Sequence, residues 1–366
     1  MIQEEKTELT EKTELTAGEK VKELQKELTW SFPNIAKEAP YQKEEAFEYC
    51  EAYKAFLDYA KTEREFTQAA VKLLNEAGYA PFEKGRDYKA GDKVYYVNRK
   101  KSLIMTTFGQ REIGAGVRLN VAHIDSPRLD LKPNPMYEKA EMAFFKTHYY
   151  GGIRKYQWAA IPLAMHGVVV KKDGEITDIR IGEEEGDPVF CVTDLLPHLA
   201  ADQNERKLKD GIKGEELNVI IGSLPFTADE DIKEPVKLLA LSVLNEKYGM
   251  TEKDFIRAEI EIVPAFKAVD VGLDRSMVGA YGQDDRVCAY TALTAEMASI
   301  EPEYTTVTVL ADKEEIGSVG NTGLDSDFVL HYIEDLAETA GIDYRTILRN
   351  SICLSSDVNA AYDPTF

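Results

Sequence analysis

The sequence predicts an α/β protein in which a central mixed sheet, covered by helices on both faces, is interrupted by a β-rich insertion. The first observation is that helical and strand-like apolar patterns follow one another before about residue 128 and again after about residue 265. The second is that the stretch between them carries short strands separated by turns, such as the turn at Asp173-Gly174. We therefore expect four parts, which are residues 1–16, 17–128, 129–264 and 265–366.

The first sixteen residues contain a tandem repeat of polar character. The six residues from Glu5 to Thr10 are repeated from Glu11 to Thr16. Two copies of such a short unit are too few to build a repeat fold with its own core. We expect this segment to be a polar, partly helical extension.

The first α/β stretch begins with helical spacing of apolar residues over residues 43–78, which indicates either two helices or one helix broken near Thr62. Three strands follow, predicted at 93–97, 102–108 and 116–122. In the insertion we expect strands at 164–171, 176–181, 217–221 and 258–263, and a helix at 235–248 entered through Pro235. After the insertion we expect a helix at 285–297, a strand at 304–310, a helix at 325–339 and a strand at 352–354.

The composition excludes several classes of partner. The 366 residues include 44 basic and 65 acidic ones, so the formal net charge is −21. Such a charge disfavours nucleic acid and anionic membrane surfaces as partners. The sequence has no run of about 18 apolar residues and an acidic, polar beginning, so we expect neither a membrane span nor a secretory signal. Its four cysteines lie far apart, as is typical of free thiols in a cytoplasmic protein.

Two adjacent glutamates follow one of the predicted strands. Glu314 and Glu315 lie in the stretch 311–317, which directly follows the strand at 304–310 and ends in Gly317. Ligands of open α/β sheets bind at the carboxyl ends of the strands, where these carboxylates would lie. One of the two could bind a metal ion while its neighbour transfers a proton. Taken alone, the pair would more often be an acidic turn exposed to solvent.

Three further clusters place acidic or histidine side chains at the end of a strand or the start of a helix. His123 and Asp125 follow the strand at 116–122, Asp284 stands at the start of the helix at 285–297, and Asp357 follows the last strand. Each cluster alone is compatible with a turn or a helix cap. Together they offer one imidazole and several carboxylates, which suits a pair of zinc-like ions that share a bridging carboxylate and activate a water molecule.

These motifs also carry a resemblance. The segments 121–128, 282–286, 312–318 and 355–360 stand in the order and at the separations found in the M18 metallo-aminopeptidases, which include the aspartyl aminopeptidases and the aminopeptidase I group. The resemblance extends from about Trp30 to Phe366. It implies a peptidase of the cytoplasm with a peptide substrate and two Zn²⁺ ions per subunit, Co²⁺ or Mn²⁺ being the alternatives.

The resemblance also assigns roles to residues. Asp284 would bridge the two ions, and Glu314 would be the general base. Asp125 would support His123, and the peptide bond after Asp284 would be cis. The metal ligands that the resemblance implies are His123, Asp284, Glu315 and Asp357.

The inserted residues 129–264 resemble the lid and dimerisation domain of the same family, which the catalytic part does not need for its chemistry. Within them, His198 lies in a segment that resembles the family's loop whose histidine reaches the active site of a neighbouring subunit. The resemblance implies homo-oligomers built from dimers, up to a dodecamer. Residues 17–128 and 265–366 would form the catalytic domain.

A last metal-ligating histidine of the family stands in a closing α/β segment, on the order of a hundred residues long, that follows the motif at Asp357. Since the sequence ends at Phe366, we expect the catalytic part to be incomplete and the activity of this polypeptide to be uncertain. The expected function is a dinuclear zinc aminopeptidase. The alternatives are an inactive or structural subunit of the same family and a metal-independent glycosidase that uses two carboxylates.

Overall fold

The computed structural model describes residues 16–31, 33–39, 42–227 and 232–366, and the predicted polar extension lies outside them except for Thr16. The chain divides into two units, Met1–Glu51 and Ala52–Phe366. In the first unit, Thr16 caps a helix that starts at Ala17 and forms a capping box with Glu19, and this helix buries none of its side chains. In the described part of the chain, no helix is long and apolar enough to cross a membrane.

In chain order, the helices are α1 (Ala17–Leu28), α2 (Ile35–Glu38), α3 (Lys43–Tyr59), α4 (Glu63–Glu76), α5 (Ala201–Asn204), α6 (Pro235–Tyr248), α7 (Gln283–Ala298), α8 (Phe328–Ala340) and α9 (Tyr344–Asn350). The strands, in the same order, are β1 (Ala80–Pro81), β2 (Lys93–Asn98), β3 (Ser102–Thr107), β4 (Arg118–His123), β5 (Arg128–Lys139), β6 (Met142–Tyr150), β7 (Leu163–Val170), β8 (Ile176–Ile181), β9 (Cys191–Val192), β10 (Val219–Gly222), β11 (Ala258–Pro264), β12 (Val269–Val271), β13 (Met277–Gly279), β14 (Thr306–Ala311) and β15 (Ile352–Ser355).

The first sheet is mixed, as predicted. Among the described residues it has the strand order β1-β2-β3-β14-β4-β15. Strand β14 is antiparallel to β3 and parallel to β4, and β15 is parallel to β4. The carboxyl ends of β4, β14 and β15 therefore lie at one edge of the sheet.

Helices cover both faces of this sheet, which confirms the predicted α/β class. On one face, α3, α4 and α7 contribute Phe56, Phe66 and Leu293 to a core that contains Leu310 of β14. On the other face, α8 and α9 pack against Val307 and Val309 of β14 and other residues. The alternation of these β14 side chains follows the period of two of a strand that is buried on both faces.

The second sheet has the strand order β8-β7-β11-β5-β6-β10-β9 within the described residues, and its ladders are antiparallel. Its core includes Phe145, Met165 and Ile262, and α6 adds Leu244. Its strands lie between Arg128 and Pro264, so they coincide, apart from Arg128, with the segment 129–264 that was predicted to be inserted. That this segment is a separate lid domain stays a prediction.

The structure decides between two predicted alternatives and adds strands that were not predicted. The helical stretch 43–78 is two helices, which is the first of the two alternatives, because Thr62 caps α4 through a capping box with Glu65. Strands β5 and β6, the longest of the second sheet, were not predicted. Strand β5 contains Pro133 and Pro135, and its pairing with β6 shifts register between Leu131 and Met136, so the prolines fall where the ladder is interrupted.

Candidate active site

Four polar motifs converge at one edge of the first sheet. His123 is the last residue of β4, the Glu314-Glu315 pair follows β14, and Asp357 follows β15. Because these strands run parallel, their carboxyl ends bring the motifs together. The fourth motif, at Asp284, opens α7, and α7 packs against β4.

The side chains of His123, Asp284 and Asp357 form a close group, in which each offers a ligand atom within 4.8 Å of the others. Nε2 of His123 lies 3.2 Å from Oδ1 of Asp284 and 3.9 Å from Oδ1 of Asp357. Oε2 of Glu314 is 3.7 Å from the same nitrogen. Glu315 lies outside this group. The structure thus brings three of the four predicted ligands together, with the predicted general base beside them.

Asp125 orients the imidazole of His123. Nδ1 of His123 lies 3.0 Å from the backbone oxygen of Asp125 and 3.3 Å from its Oδ1. This contact leaves Nε2 directed at the carboxylates of Asp284 and Asp357. Burial alone would lower the pKa of His123, but the hydrogen bond and the charge of Asp125, with Asp285 and Glu314, raise it to about 9.

The carboxylate of Asp125 also holds the loop after β14. It accepts hydrogen bonds from the backbone N–H groups of Glu314 and Glu315, each at 3.2 Å, and from the hydroxyl of Tyr150 at 2.7 Å. Burial would raise the pKa of Asp125, but the hydrogen bonds from His123 and Tyr150 bring it below its ordinary value. One buried carboxylate therefore connects three parts of the site.

The start of α7 fixes Asp284. The peptide bond between Asp284 and Asp285 is cis, as the resemblance implies, and both residues have non-helical backbone angles. Ser126 Oγ donates a hydrogen bond of 2.9 Å to the backbone oxygen of Asp284. The buried guanidinium of Arg286 donates to the backbone oxygen of Ile124 at 3.2 Å. These contacts tie the segment around Asp284 to the loop that follows His123.

Glu315 is half-buried beside the close group. Burial, together with the charges of Asp284, Asp125 and Glu314, raises its pKa to about 7, and His123 opposes this shift. A pKa raised by neighbouring carboxylates indicates a site that favours a positive charge. On electrostatic grounds, the position is therefore compatible with a metal ligand.

His198 lies elsewhere. It is exposed, in a 3₁₀ turn formed by Pro197–Leu199. Within the described residues, no hydrogen bond or ion pair connects it to His123, Asp284, Glu314 or Asp357. Its contribution to catalysis stays a prediction.

The sequence analysis missed Tyr150 and Arg286 as residues of the site. Tyr150 ends a strand that was not predicted, and its partner Asp125 is 25 residues away along the chain. Arg286 stands two residues after Asp284, so its place in the motif was a usable signal. A buried arginine needs partners for its donors, and Nε and Nη2 of Arg286 donate to the backbone oxygens of Ile124 and Lys61. Its Nη1 has no hydrogen-bond partner within the described residues.

A metal ion fits this set of donors. Nε2 of His123 is buried and, within the described residues, makes no hydrogen bond. Carboxylate oxygens of Asp284 and Asp357 face it, and imidazole nitrogen with carboxylate oxygen is a ligand set that zinc accepts. In the neutral imidazole, which is the form that binds a metal ion, the hydrogen bond from Nδ1 to the backbone oxygen of Asp125 leaves the lone pair on Nε2.

Comparisons with known proteins identify the family of this chain. The profile of a family described as "Aminopeptidase I zinc metalloprotease (M18)" matches residues 56–366. The probable M18 family aminopeptidase 1 of Clostridium acetobutylicum is 49% identical over 334 residues, which are 89% of this chain and 71% of that protein.

Solved structures have the same fold. The crystal structure of the M18 family aminopeptidase from Thermotoga maritima has a TM-score of 0.87 at 43% identity, covering 92% of this chain and 74% of that chain. The mApe1 dodecamer of S. cerevisiae has a TM-score of 0.68 at 21% identity, covering 86% of this chain and 73% of that chain, so this likeness shows the fold alone. From the profile match and the shared identity together, we conclude that this chain belongs to the M18 aminopeptidase family of zinc metalloproteases.

Proposed function

We propose that the chain removes N-terminal residues from peptides by means of a dinuclear zinc site. The observation that carries the proposal is the convergence of His123 with Asp284 and Asp357, whose ligand atoms lie within 4.8 Å of one another. The zinc metalloprotease description of the family supports zinc as the metal, with Co²⁺ and Mn²⁺ as alternatives.

Two groups of residues would hold the ions. His123, Asp284 and Asp357 would bind one ion, and Asp284 with Glu315 would bind the other. A bridging role for Asp284 is supported by its Oδ1, which lies 3.2 Å from His123, and by its charge, which contributes to the raised pKa of Glu315. Bound zinc supplies Lewis-acid polarisation of the scissile carbonyl and activation of water.

Glu314 is the proposed general base. Its carboxylate is exposed, with Oε2 3.7 Å from Nε2 of His123, so it faces the same space as the proposed ligands. It would accept a proton from the attacking water and pass it to the leaving amine. Its backbone N–H is held by the Asp125 carboxylate, which limits how far the Glu314 side chain can move from this space.

The test compares two peptides that differ only at the amino terminus. Metal content is measured first, and the purified chain is then assayed with a free dipeptide and with its N-acetylated form. We expect bound zinc, cleavage of the free peptide alone, loss of cleavage after chelation and recovery with added zinc. Equal cleavage of both peptides would contradict an aminopeptidase. Bound zinc without any turnover would favour the inactive or structural subunit instead.

We further propose that His198 serves the site of a partner subunit in a dimer, and that such dimers form larger assemblies. Support comes from the exposed position of His198 and from the dodecamer formed by the structural relative mApe1. A histidine on a surface loop can reach a partner's site across a two-fold axis without a change of fold.

A further inference from the structure

We infer that Tyr150 is a positioning residue of the proposed site, and that its hydroxyl acts through Asp125 on both His123 and the Glu314-Glu315 loop. The inference rests on the proposed function, in which His123 binds metal and Glu314 transfers a proton. According to this inference, a residue of the second sheet, at the end of β6, helps to position the groups of the proposed site in the same chain.

Tyr150 is held firmly where β6 ends. Arg128, the first residue of β5, pairs with Tyr150 in the ladder, and its guanidinium lies 3.9 Å from the centre of the Tyr150 ring. Lys313 Nζ lies 5.3 Å from the same ring centre. Tyr150 is 6% exposed, and its hydroxyl donates to Oδ2 of Asp125 at 2.7 Å. Two cations near the ring and one short hydrogen bond leave the side chain little freedom.

Asp125 connects the Tyr150 hydroxyl to His123 and to the backbone of Glu314 and Glu315. The Oδ2 atom that accepts from Tyr150 also accepts from the backbone N–H of Glu315 at 3.2 Å. Oδ1 accepts from the backbone N–H of Glu314 at 3.2 Å and lies 3.3 Å from Nδ1 of His123. A fully buried carboxylate that loses one donor is destabilised and gains freedom to rotate. Its rotation would disturb the metal ligand and the general base together.

Gly151, the residue after Tyr150, lies against Glu315 of the same site. Gly151 has φ of 74°, and a Cβ at this position would lie 3.0 Å from Oε2 and 3.2 Å from Cβ of Glu315. The end of β6 therefore leaves room for Glu315 while Tyr150 holds Asp125. Both contacts come from the second sheet and act within one chain.

The main test is Tyr150→Phe, which removes the hydroxyl and keeps the ring between Arg128 and Lys313. Tyr149→Phe is the matched control, because Tyr149 is the preceding residue of β6 and is exposed. Zinc affinity is measured by competition with a chromophoric chelator. We expect Tyr150→Phe to weaken zinc binding roughly tenfold, as is usual for residues that support a ligand, and Tyr149→Phe to change it less than about twofold.

A second measurement separates positioning from packing. In an Asp125→Ala background the hydroxyl of Tyr150 has lost its acceptor, so Tyr150→Phe should weaken zinc binding by less than about a further twofold. Losses that multiply in the double variant would overturn the inference. A Tyr150→Phe protein without a cooperative unfolding transition would overturn it too, because the hydroxyl would then be needed for folding.

The outcomes also distinguish this inference from the proposed function. A wild-type chain that binds no zinc would remove the proposed site and the inference with it. A wild-type chain that binds zinc and cleaves peptides, with Tyr150→Phe indistinguishable from Tyr149→Phe, would overturn the inference alone. At saturating zinc, we expect Tyr150→Phe to lower kcat roughly tenfold with little change in KM. The reason is that the Asp125 carboxylate accepts the hydrogen bond that positions the backbone of Glu314.

Discussion

At the scale of single residues, Glu314 and Glu315 are neighbours with different surroundings. Both lie in the 3₁₀ turn Glu314–Ile316, where successive side chains point in directions about 120° apart. Glu314 is exposed near Nε2 of His123, whereas Glu315 is half-buried and has its pKa raised to about 7, first by burial and then by neighbouring carboxylates. This difference in surroundings supports different proposed roles, with Glu314 as the general base and Glu315 as a metal ligand.

The first prediction tests that division. Glu314→Gln should keep the zinc content of the wild type while lowering turnover by about 10²–10⁴-fold, because only proton transfer is lost. Glu315→Gln is the matched variant, and it should lower the zinc content because a ligand charge is lost. Both are measured by metal analysis and by a peptidase assay at saturating substrate. Lost zinc in Glu314→Gln with retained zinc in Glu315→Gln would reverse the two assignments.

At the scale of elements, a buried polar cluster joins α4 to the second sheet. His166 of β7 is fully buried, with Nδ1 2.8 Å from Oε1 of Glu65 on α4 and Nε2 3.1 Å from Oε1 of Glu183 after β8. Lys61 Nζ lies 3.1 Å from the same oxygen of Glu183. The other charged groups close to these carboxylates are Arg180 and Lys267. Basic groups outnumber the two carboxylates in this cluster, so each carboxylate has more than one basic partner.

The pKa values of this cluster make part of the stability depend on pH. Burial would lower the pKa of His166, but Glu183 and Glu65 raise it, so its contribution is full below about 6.5 and fades as pH rises through the raised value. Burial would raise the pKa of Glu183, but His166 and Lys61 lower it to about 2, so its contribution is full above about 4.5 and fades as pH falls towards 2. Both contributions are complete between about pH 4.5 and 6.5.

The second prediction follows from this cluster. His166→Gln should lower the free energy of unfolding by about 3 kcal/mol at pH 5.5, because the buried carboxylate of Glu183 and the partly buried carboxylate of Glu65 lose a charged partner. The difference from the wild type should be smaller at pH 8.5, because the stabilising charge of the imidazole is lost as the pH rises through its raised pKa. Urea unfolding at both pH values measures the difference in the free energy of unfolding between the variant and the wild type. His331→Gln, on the exposed side of α8, is the control. An equal loss at both pH values would show that His166 acts as a neutral group.

At the scale of the whole molecule, the two sheets meet at the candidate site. Tyr150 belongs to the second sheet and contacts Asp125, which follows a strand of the first sheet. This contact argues against the expectation that the catalytic part does not need residues 129–264 for its chemistry. Deleting that segment would remove Tyr150 together with any dimer contact, so a deletion is a poor test of assembly.

The third prediction therefore tests assembly by mixing subunits. Inactive Glu314→Gln and inactive His198→Ala subunits, dissociated together and reassembled, should recover about a quarter of the wild-type activity if His198 serves a partner. Half of the dimers would then be mixed, and each mixed dimer would contain one intact site. Activity is compared with that of each variant reassembled alone. If mixed dimers are shown to form and no activity returns, His198 does not act across the dimer.

Much of this architecture could be predicted because its signals are local. The apolar alternation before Glu314, the cap at Thr62 and the proline that opens α6 each specify an element from a few neighbouring residues. Strand β6 has the aromatic composition of a strand and is followed by Gly151-Gly152, but the prediction missed it. Strand β5 carried no comparable signal. The prolines and charges of β5 hide its alternation, and it is a strand because its long-range partners complete its hydrogen bonds.

The sequence by itself determined the family, the α/β class and the residues that come together at the edge of the first sheet, because each of these depends on motifs at the ends of strands or helices. Only the tertiary structure decided that Tyr150 supports Asp125, that Gly151 leaves space for Glu315, and that Nε2 of His123 faces two carboxylates. These are contacts between side chains far apart in the sequence. The contacts of Tyr150 and Gly151 depend on how the two sheets pack, and the position of His123 depends on how α7 packs on the first sheet. No local pattern of residues encodes that packing.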